Sequence, residues 1–346
     1  MTALRTVLFA PIIHAALCLD ARAGVDDVAR KRVIAELSSK VSETYVFPDK
    51  ARQIAARLDA REKSGAYRSA KDIEQFSDML TEDLRQPTRD LHLGVRYSAK
   101  PIPEEENAPE PTPEMDRKFA DYLKSRNYGI RKVETLPGNI GYIDLREFSP
   151  ARFAKPSLTA MMTLVADTDA LIVDLRHNGG GDPYAVAWMQ SYLFDERTHL
   201  NDMYWRAGER TEGFWTEADV PGKKFGGAKK IYVLTSKDTF SGAEEFSYNL
   251  QQLRRGVIVG ETTGGGAHPG RSYRIHPHLS VFIPGGRAIN PVSKTNWEGR
   301  GVAPDVKVKA ADALRTAQRL ALTELLKSPV DEEHAQELRK RLLSLK

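Results

Sequence analysis

Short apolar runs that end in a polar turn and continue into a helical pattern dominate the second half of the chain. Residues 171–175 lead into a glycine-rich turn and a helix predicted over 183–194, and residues 231–235 lead into a helix predicted over 241–253. Such runs are typical of strands that are buried on both faces of a sheet. Because strands that alternate with helices build layered sheets, the sequence predicts an α/β core.

Ser241 stands where the predicted strand 231–235 ends and the next helix begins. A helix N-terminus offers unpaired backbone N–H groups and the positive end of the helix dipole, and both favour negative charge. A serine hydroxyl at this position is therefore suited to nucleophilic attack. Ser241 and Glu244 also fit the S-x-x-E capping box, and taken alone a helix cap is the better interpretation of this serine.

Three glycines, Gly179, Gly180 and Gly181, follow the predicted strand 171–175. Consecutive glycines can adopt positive φ and bring backbone N–H groups close to a ligand, so they could supply an oxyanion hole. The alternative is an ordinary strand-to-helix turn. A phosphate-binding loop is not indicated, since the G-x-x-x-x-G-K-[ST] pattern is absent from the sequence.

A serine nucleophile needs a base, and the chain contains eight histidines. We expect His177, which precedes the glycine run, to shape that loop. His276 and His278 alternate along a strand predicted over 271–283, an arrangement that would suit a metal but lacks a clear third ligand. The histidines without any supporting pattern are His14, His199 and His334.

Two histidines remain as candidate bases. His268 lies in a glycine-rich loop 27 residues after Ser241, and His92 lies in Asp90-Leu-His92 at the entrance to a predicted strand. Composition and spacing do not choose between them.

Four ordered motifs resemble the tail-specific, or C-terminal processing, serine peptidase family. The likeness is greatest to its tricorn-core branch and to the repeats of interphotoreceptor retinoid-binding protein. It extends over roughly residues 30–310. The motifs that carry it occupy residues 171–181, 239–245, 259–269 and 296–305.

The resemblance implies a role for each matching residue. Ser241 matches the family nucleophile, and Gly242 matches the residue whose N–H forms half of the oxyanion hole. The Arg-x-Asn-Gly-Gly-Gly element matches the other half, which we assign to Gly180 with Gly181 as the near alternative.

The base and the acid are implied in the same way. Asp90-Leu-His92 resembles the D-x-H element that carries the catalytic histidine in the tricorn branch, and Glu298 falls where that branch has its acid. The expected mechanism is therefore an acyl-enzyme mechanism in which His92 deprotonates Ser241 and Glu298 orients His92. We expect His92 to lie within hydrogen-bonding reach of Ser241, with Glu298 near the other imidazole nitrogen.

The chain departs from the family pattern in two places. Processing peptidases with a PDZ domain use a lysine base about 25 residues after the serine, whereas this chain has Gly265, Gly266 and Ala267 there. The residue before the histidine is serine in the tricorn enzymes and Leu91 here, so at most a triad is expected. Gly181, His268 and Arg176 are expected to belong to the substrate pocket.

The first residues have the pattern of a signal peptide. A short basic start is followed by an apolar run over 7–19 and by Ala21-Arg22-Ala23, which fits a cleavage site. We therefore expect cleavage near Ala23, a secreted or periplasmic location and no stable membrane anchor. Cys18 is the only cysteine and lies in this leader, so the mature chain should have neither disulfides nor cysteine chemistry.

The expected architecture is an α/β core preceded by a small helical domain, and the resemblance implies a crotonase-like spiral of β-β-α units. Between residues 97 and 129 there is no room for a PDZ domain. The predicted divisions are a signal peptide over 1–23, a helical domain over 24–97, a connector rich in proline and glutamate over 98–128, the peptidase core over 129–310 and C-terminal helices over 311–346.

The predicted function is a serine peptidase that acts on peptide or protein substrates without a cofactor or a metal. A net charge of +4 over 346 residues is too weak and too dispersed to indicate nucleic-acid binding. The alternative is a binding protein whose cleft holds a retinoid-like or other apolar ligand without catalysis. The substrate sequence and the oligomeric state are not determined by the sequence.

Overall fold

The computed structural model describes residues 25–103, 112–327 and 331–345. The predicted signal peptide lies outside these residues. The helices of the described residues are α1 (Asp27–Thr44), α2 (Pro48–Lys63), α3 (Ile73–Arg85), α4 (Pro113–Ser125), α5 (Ala151–Val165), α6 (Pro183–Gln190), α7 (Gly242–Gln252), α8 (Ala310–Leu325) and α9 (Glu332–Ser344).

The strands fall into three sheets. They are β1 (Gly94–Tyr97), β2 (Ile130–Leu136), β3 (Ile140–Leu145), β4 (Ala170–Asp174), β5 (His199–Trp205), β6 (Arg210–Trp215), β7 (Lys230–Thr235), β8 (Val257–Gly260), β9 (Gly270–His276), β10 (Leu279–Pro284), β11 (Gly286–Ile289) and β12 (Val306–Lys307).

The central sheet has six strands in the order β12-β8-β7-β4-β3-β2. Five strands of this sheet run parallel to one another, namely β12, β8, β7, β4 and β3. The edge strand β2 pairs antiparallel with β3. Helices α5, α6 and α7 contribute to the core on one face, and α8 and α9 cover the other face. Both faces are therefore buried, which explains why β4 and β7 are apolar along almost their whole length.

The carboxyl ends of β4 and β7 lie side by side. Asp174 at the end of β4 is opposite Leu234 of β7, in parallel register. The loop after β4 and the loop after β7 therefore leave the same edge of the sheet, where parallel α/β sheets usually bind their ligands. This topology brings the glycine run next to Ser241.

The N-terminal helices share an apolar cluster with a sheet from another part of the chain. Asp26 and Asp72 cap α1 and α3, and both helices bury an apolar face. That face packs against the sheet β1-β10-β9, in which Val95 is opposite Val281. Because β1 begins two residues after His92, this pairing fixes the histidine beside the core.

The prediction of an α/β core preceded by a helical region is confirmed. Two details differ from the expectation. The sheet β11-β5-β6 was not predicted, because β5 and β6 are largely polar. The single strand predicted over 271–283 is a hairpin that turns at Pro277, so His276 and His278 do not alternate along one strand.

No helix of the described residues is long and apolar enough to cross a bilayer.

Candidate active site

Ser241 occupies a strained turn between β7 and α7. Its backbone has φ 52° and ψ −119°, a region that residues other than glycine rarely adopt and that costs free energy. The Ser241 backbone N–H donates to Glu244 Oε2 at 2.8 Å, which is the glutamate half of a capping box. Ser241 is therefore a helix cap and is also held in a conformation that a simple cap does not need.

Glu244 anchors this turn to the loop that contains Gly264, Gly265 and Gly266. Its side chain is fully buried. Its two oxygens accept hydrogen bonds from Thr263 Oγ1 at 2.5 Å, from Gly265 N at 2.6 Å and from Gly266 N at 2.8 Å, in addition to Ser241 N. Burial raises the pKa of the Glu244 carboxyl, and these four donors oppose that effect. The S-x-x-E pattern predicted the helix cap but not the hydrogen bonds by which Glu244 holds the glycine-rich loop.

The free backbone N–H groups near the serine belong to Gly242 and Gly181. Within the described residues, neither group donates a hydrogen bond to an acceptor. A Cβ on Gly242 would lie 3.1 Å from Gly181 N, so the two residues are in contact. An oxyanion hole requires two such donors next to the nucleophile.

Gly180 does not fit the donor role that was predicted for it. Its N–H donates to Asn178 Oδ1 at 2.8 Å, so this group is already occupied. Gly181 has φ 137°, and a Cβ there would lie 2.1 Å from Phe148 O, so only glycine fits. Of the two glycines, the near alternative Gly181 is therefore the one whose backbone N–H is free among the described residues.

Asn178, and not His177, shapes the loop after β4. Asn178 is fully buried, donates from Nδ2 to Leu145 O at 3.0 Å and accepts from Phe240 N through its backbone oxygen. His177 is exposed to solvent. The prediction for His177 is therefore wrong, and the signal that was missed is the asparagine inside Arg-x-Asn-Gly-Gly.

Arg176 is committed to structure. Its Nε donates to Asp174 Oδ1 at 2.9 Å, its Nη2 to Asp174 Oδ2 at 2.6 Å and its Nη1 to Ala310 O at 2.7 Å. The Asp174 carboxylate raises the pKa of the guanidinium against the opposing effect of burial. This arginine joins the end of β4 to the start of α8, and the structure does not support the pocket role expected for it.

His92 lies against the residue that precedes the serine. Its ring centroid is 4.7 Å from the Phe240 ring and 6.0 Å from the Phe282 ring. A Cβ on Gly266 would lie 2.6 Å from His92 Cε1, so a larger residue there would have to displace the imidazole. Burial lowers the pKa of His92 to about 4, although the Asp90 charge opposes this shift. The imidazole is therefore neutral at neutral pH, as a general base must be.

The expected hydrogen bond between His92 and Ser241 is not formed. Among the described residues, His92 Nδ1 is buried without a hydrogen-bond partner, and no hydrogen bond joins the ring to the serine hydroxyl. The contact with Phe240 nevertheless places the imidazole beside the serine turn. Catalytic hydrogen bonds are often long before substrate binds, so the roles of these residues stay predictions.

Glu298 contacts His268 and not His92. Its Oε2 accepts from Ala267 N at 2.6 Å and lies 3.4 Å from His268 Nδ1. Within the part of the chain that the structure describes, no atom pair brings Glu298 within 4.0 Å of the His92 ring nitrogens. The expected direct approach of Glu298 to His92 is therefore not seen. Burial and the nearby Asp90 raise the pKa of Glu298 to about 7.

Asp90 is a buried carboxylate between the two histidines, and the family resemblance implies no role for it. Its Oδ2 accepts from His268 Nδ1 at 2.8 Å and from Tyr45 Oη at 3.2 Å, and its Oδ1 accepts from His92 N at 3.0 Å. Asp90 is the first residue of the D-x-H motif, so the motif could have identified it as a site residue. Asp90, His268 and Glu298 place ligand atoms within 4.8 Å of one another, so of the described residues these three could hold a metal ion.

The two histidines line different cavities. His92, Phe240 and Phe282 line a cavity of about 290 Å³, whereas His268 and Glu298 line a cavity of about 590 Å³. The loop that contains Gly266 and Ala267 connects the two sites. His268 therefore contributes to a pocket wall on the other side of this loop from the serine turn.

Two family models match the chain. The model of peptidase family S41 matches residues 139–308, and the model of the N-terminal domain of peptidase S41 in eukaryotic IRBP matches residues 28–127. The carboxyl-terminal-processing peptidase 1, chloroplastic, of Arabidopsis thaliana is 27% identical over 183 residues, which is 52% of this chain. That match spans 36% of the Arabidopsis protein, about a third of its length.

Solved structures share the fold at low sequence identity. A protein of Parabacteroides merdae ATCC 43184, described as a candidate peptidase, has a TM-score of 0.59 at 19% identity, and the match covers 85% of this chain and 96% of that one. The photosystem II D1 C-terminal processing protease has a TM-score of 0.50 at 16% identity, covering 81% and 93%. The tricorn protease has a TM-score of 0.53 at 14% identity, covering 91% of this chain and 37% of that one.

The fold and the site define an α/β protein with a strained serine at a strand-to-helix turn, next to two free backbone N–H groups and a partly buried neutral histidine. The two family models together match most of the described chain. The chain belongs to peptidase family S41, with the N-terminal domain found in eukaryotic IRBP.

Proposed function

We propose that this protein is a serine peptidase that hydrolyses peptide bonds in peptide or protein substrates through an acyl-enzyme. The observation that carries the proposal is the turn at Ser241. There a strained serine adjoins two unoccupied backbone N–H groups, of Gly242 and Gly181, and the neutral His92 packs on the preceding residue. A cleft that only binds an apolar ligand does not need this combination.

The chemistry follows from the roles of these groups. His92 takes the proton of the Ser241 hydroxyl as Oγ forms a bond to the substrate carbonyl carbon, and the carbonyl oxygen becomes an oxyanion that Gly242 and Gly181 bind. The imidazolium then gives the proton to the leaving amine as the peptide bond breaks. Water, deprotonated by His92, releases the acyl group and restores the serine.

The family resemblance marks Glu298 as the acid of this set. Among the described residues, polar contacts connect Glu298 to His92 by way of His268 and Asp90. Removal of one oxyanion donor in a hydrolase typically costs about 3 kcal/mol of transition-state stabilisation, so the glycine loop matters as much as the side chains.

The name of the Arabidopsis relative supports cleavage in the C-terminal regions of substrates. We also propose that residues 1–23 are a signal peptide and that the mature chain is secreted or periplasmic. The intact mass of the exported protein should correspond to a chain that begins at Gly24. Export of a chain that retains residues 1–23 would contradict this assignment.

A fluorophosphonate probe tests the peptidase proposal, because it reacts only with an activated serine. We expect wild-type protein to be labelled and Ser241→Ala to show no labelling. Ser125→Ala is the matched control, since Ser125 is an exposed serine at the end of α4, and it should be labelled like wild type. Folded wild-type protein that takes no label would contradict the proposal and favour the binding of an apolar ligand.

A further inference from the structure

We propose that Asp90, rather than Glu298, is the carboxylate that orients His92, and that His268 is a positioning residue that links Glu298 to Asp90. This inference rests on the proposed function, in which His92 is the base. It assigns roles to two side chains, Asp90 and His268, which the family resemblance left without any part in the proton transfer.

The geometry around His92 gives the first argument. Asp90 Oδ1 accepts the His92 backbone N–H at 3.0 Å and lies 3.9 Å from Nδ1 of the same residue. Within the described residues, Asp90 is the one acidic side chain with an oxygen within 4.0 Å of a His92 ring nitrogen. Nδ1 is buried and has no hydrogen-bond partner among the described residues. A small rotation of the ring would therefore close this contact into a hydrogen bond.

The position of Asp90 is fixed from its other side. Oδ2 accepts hydrogen bonds from Tyr45 Oη and His268 Nδ1, and Asp90 is 1% exposed. Burial, followed by the Asp90 charge, raises the pKa of the Tyr45 phenol, so Tyr45 keeps its proton and donates it. Because two donors hold one oxygen, the other oxygen stays directed at His92.

Glu298 is the last residue in this series of contacts, and it is too far from His92 to orient the imidazole in place of Asp90. Its Oε2 is held by Ala267 N and faces His268 Nδ1, so its carboxylate acts on His268. The buried carboxylate of Asp90 and the partly buried carboxylate of Glu298 share one imidazole, and the proton on His268 Nδ1 reduces the repulsion between them. The contacts run in the order His92, Asp90, His268, Glu298.

The consequence for His92 is the choice of tautomer. A carboxylate near Nδ1 favours the proton on that nitrogen, which leaves Nε2 free to accept the proton of Ser241. An amide in place of the triad carboxylate in other serine hydrolases leaves the histidine in the wrong tautomer and lowers turnover by about 10⁴-fold. Asp90→Asn is expected to act in the same way here.

The test compares Asp90→Asn with Glu298→Gln by long-range ¹H–¹⁵N NMR of histidine-labelled full-length protein at pH 7. The His92 signals are assigned from their loss in His92→Gln. We expect the Nδ1–H tautomer of His92 in wild type and in Glu298→Gln, and the Nε2–H tautomer in Asp90→Asn. The rate of fluorophosphonate labelling should fall about 10³- to 10⁴-fold in Asp90→Asn and about 10-fold in Glu298→Gln.

These measurements test the role of Asp90 separately from the proposal that the protein is a peptidase. A tautomer switch of His92 in Glu298→Gln but not in Asp90→Asn would overturn the role proposed for Asp90. The Nε2–H tautomer of His92 in wild type would also overturn it, and that measurement requires no folded variant. If Asp90→Asn switches the tautomer while wild type takes no label, the positioning role stands and the peptidase proposal fails. A merely structural role of Asp90 predicts weaker folding without a tautomer change, and that outcome also contradicts the inference.

Discussion

Replacement of His92 by alanine is expected to slow the acylation of Ser241 by about 10⁴- to 10⁶-fold, the range found when the base of a serine hydrolase is removed. The serine hydroxyl is a weak nucleophile, and within the proposed site the neutral imidazole of His92 is the group placed to take its proton. The measurement is the second-order rate of fluorophosphonate labelling of wild type and variant under the same conditions.

His334→Ala is the matched control for this prediction. His334 lies on α9, where its side chain is partly exposed and its ring nitrogen is 4.0 Å from Glu337. Its replacement should leave the labelling rate unchanged. If His92→Ala reacts as fast as wild type while it keeps the wild-type unfolding transition, His92 is not the base.

Replacement of Glu244 by alanine is expected to lower the free energy of unfolding by about 4 kcal/mol or more. Four donors, from Ser241, Thr263, Gly265 and Gly266, would lose their acceptor, and each buried donor left without a partner costs about 1–3 kcal/mol. Because a domain of this kind is stable by only about 5–15 kcal/mol, this change can prevent folding. Urea unfolding followed by circular dichroism measures the loss.

Glu244→Gln distinguishes the loss of hydrogen-bond acceptors at Glu244 from the loss of side-chain volume. The amide keeps the shape but offers one acceptor oxygen instead of two, so we expect a loss of about 2 kcal/mol and slower labelling of Ser241. Glu337→Ala, at an exposed position on α9, serves as the control and should change the unfolding free energy by less than about 0.5 kcal/mol. A Glu244→Ala protein with wild-type stability would show that the carboxylate does not hold the loop in place.

The sequence predicted well those features that local pattern determines. Strands β4 and β7 and helix α7 occur close to their predicted positions, because each combines an apolar run with turn or cap residues. The placement of Ser241 at the first turn of α7 followed from the same pattern. The polar strands β5 and β6 were missed, since alternation is weak in them. They pair with each other as a hairpin, but the third strand of their sheet, β11, is distant in the chain.

The contacts among site residues were harder to predict, because they join side chains far apart in sequence. Asp90 and His268 are 178 residues apart and meet only because the sheet β1-β10-β9 packs the N-terminal helices against the loops of the core. The choice between Gly180 and Gly181 depends on a single hydrogen bond from Gly180 to Asn178. Motif spacing places both glycines in the right loop but does not show which N–H is free.

The most direct test of whether Ser241 is the nucleophile is to locate the fluorophosphonate adduct by tandem mass spectrometry. Trypsin should release residues 238–254, a peptide that contains both Ser241 and Ser247. Ser247 is buried within α7 and donates to Ala243 O at 2.8 Å, so it provides an internal control. We expect fragment ions that place the adduct on Ser241, whereas an adduct on Ser247 or on another peptide would show that Ser241 is not the nucleophile.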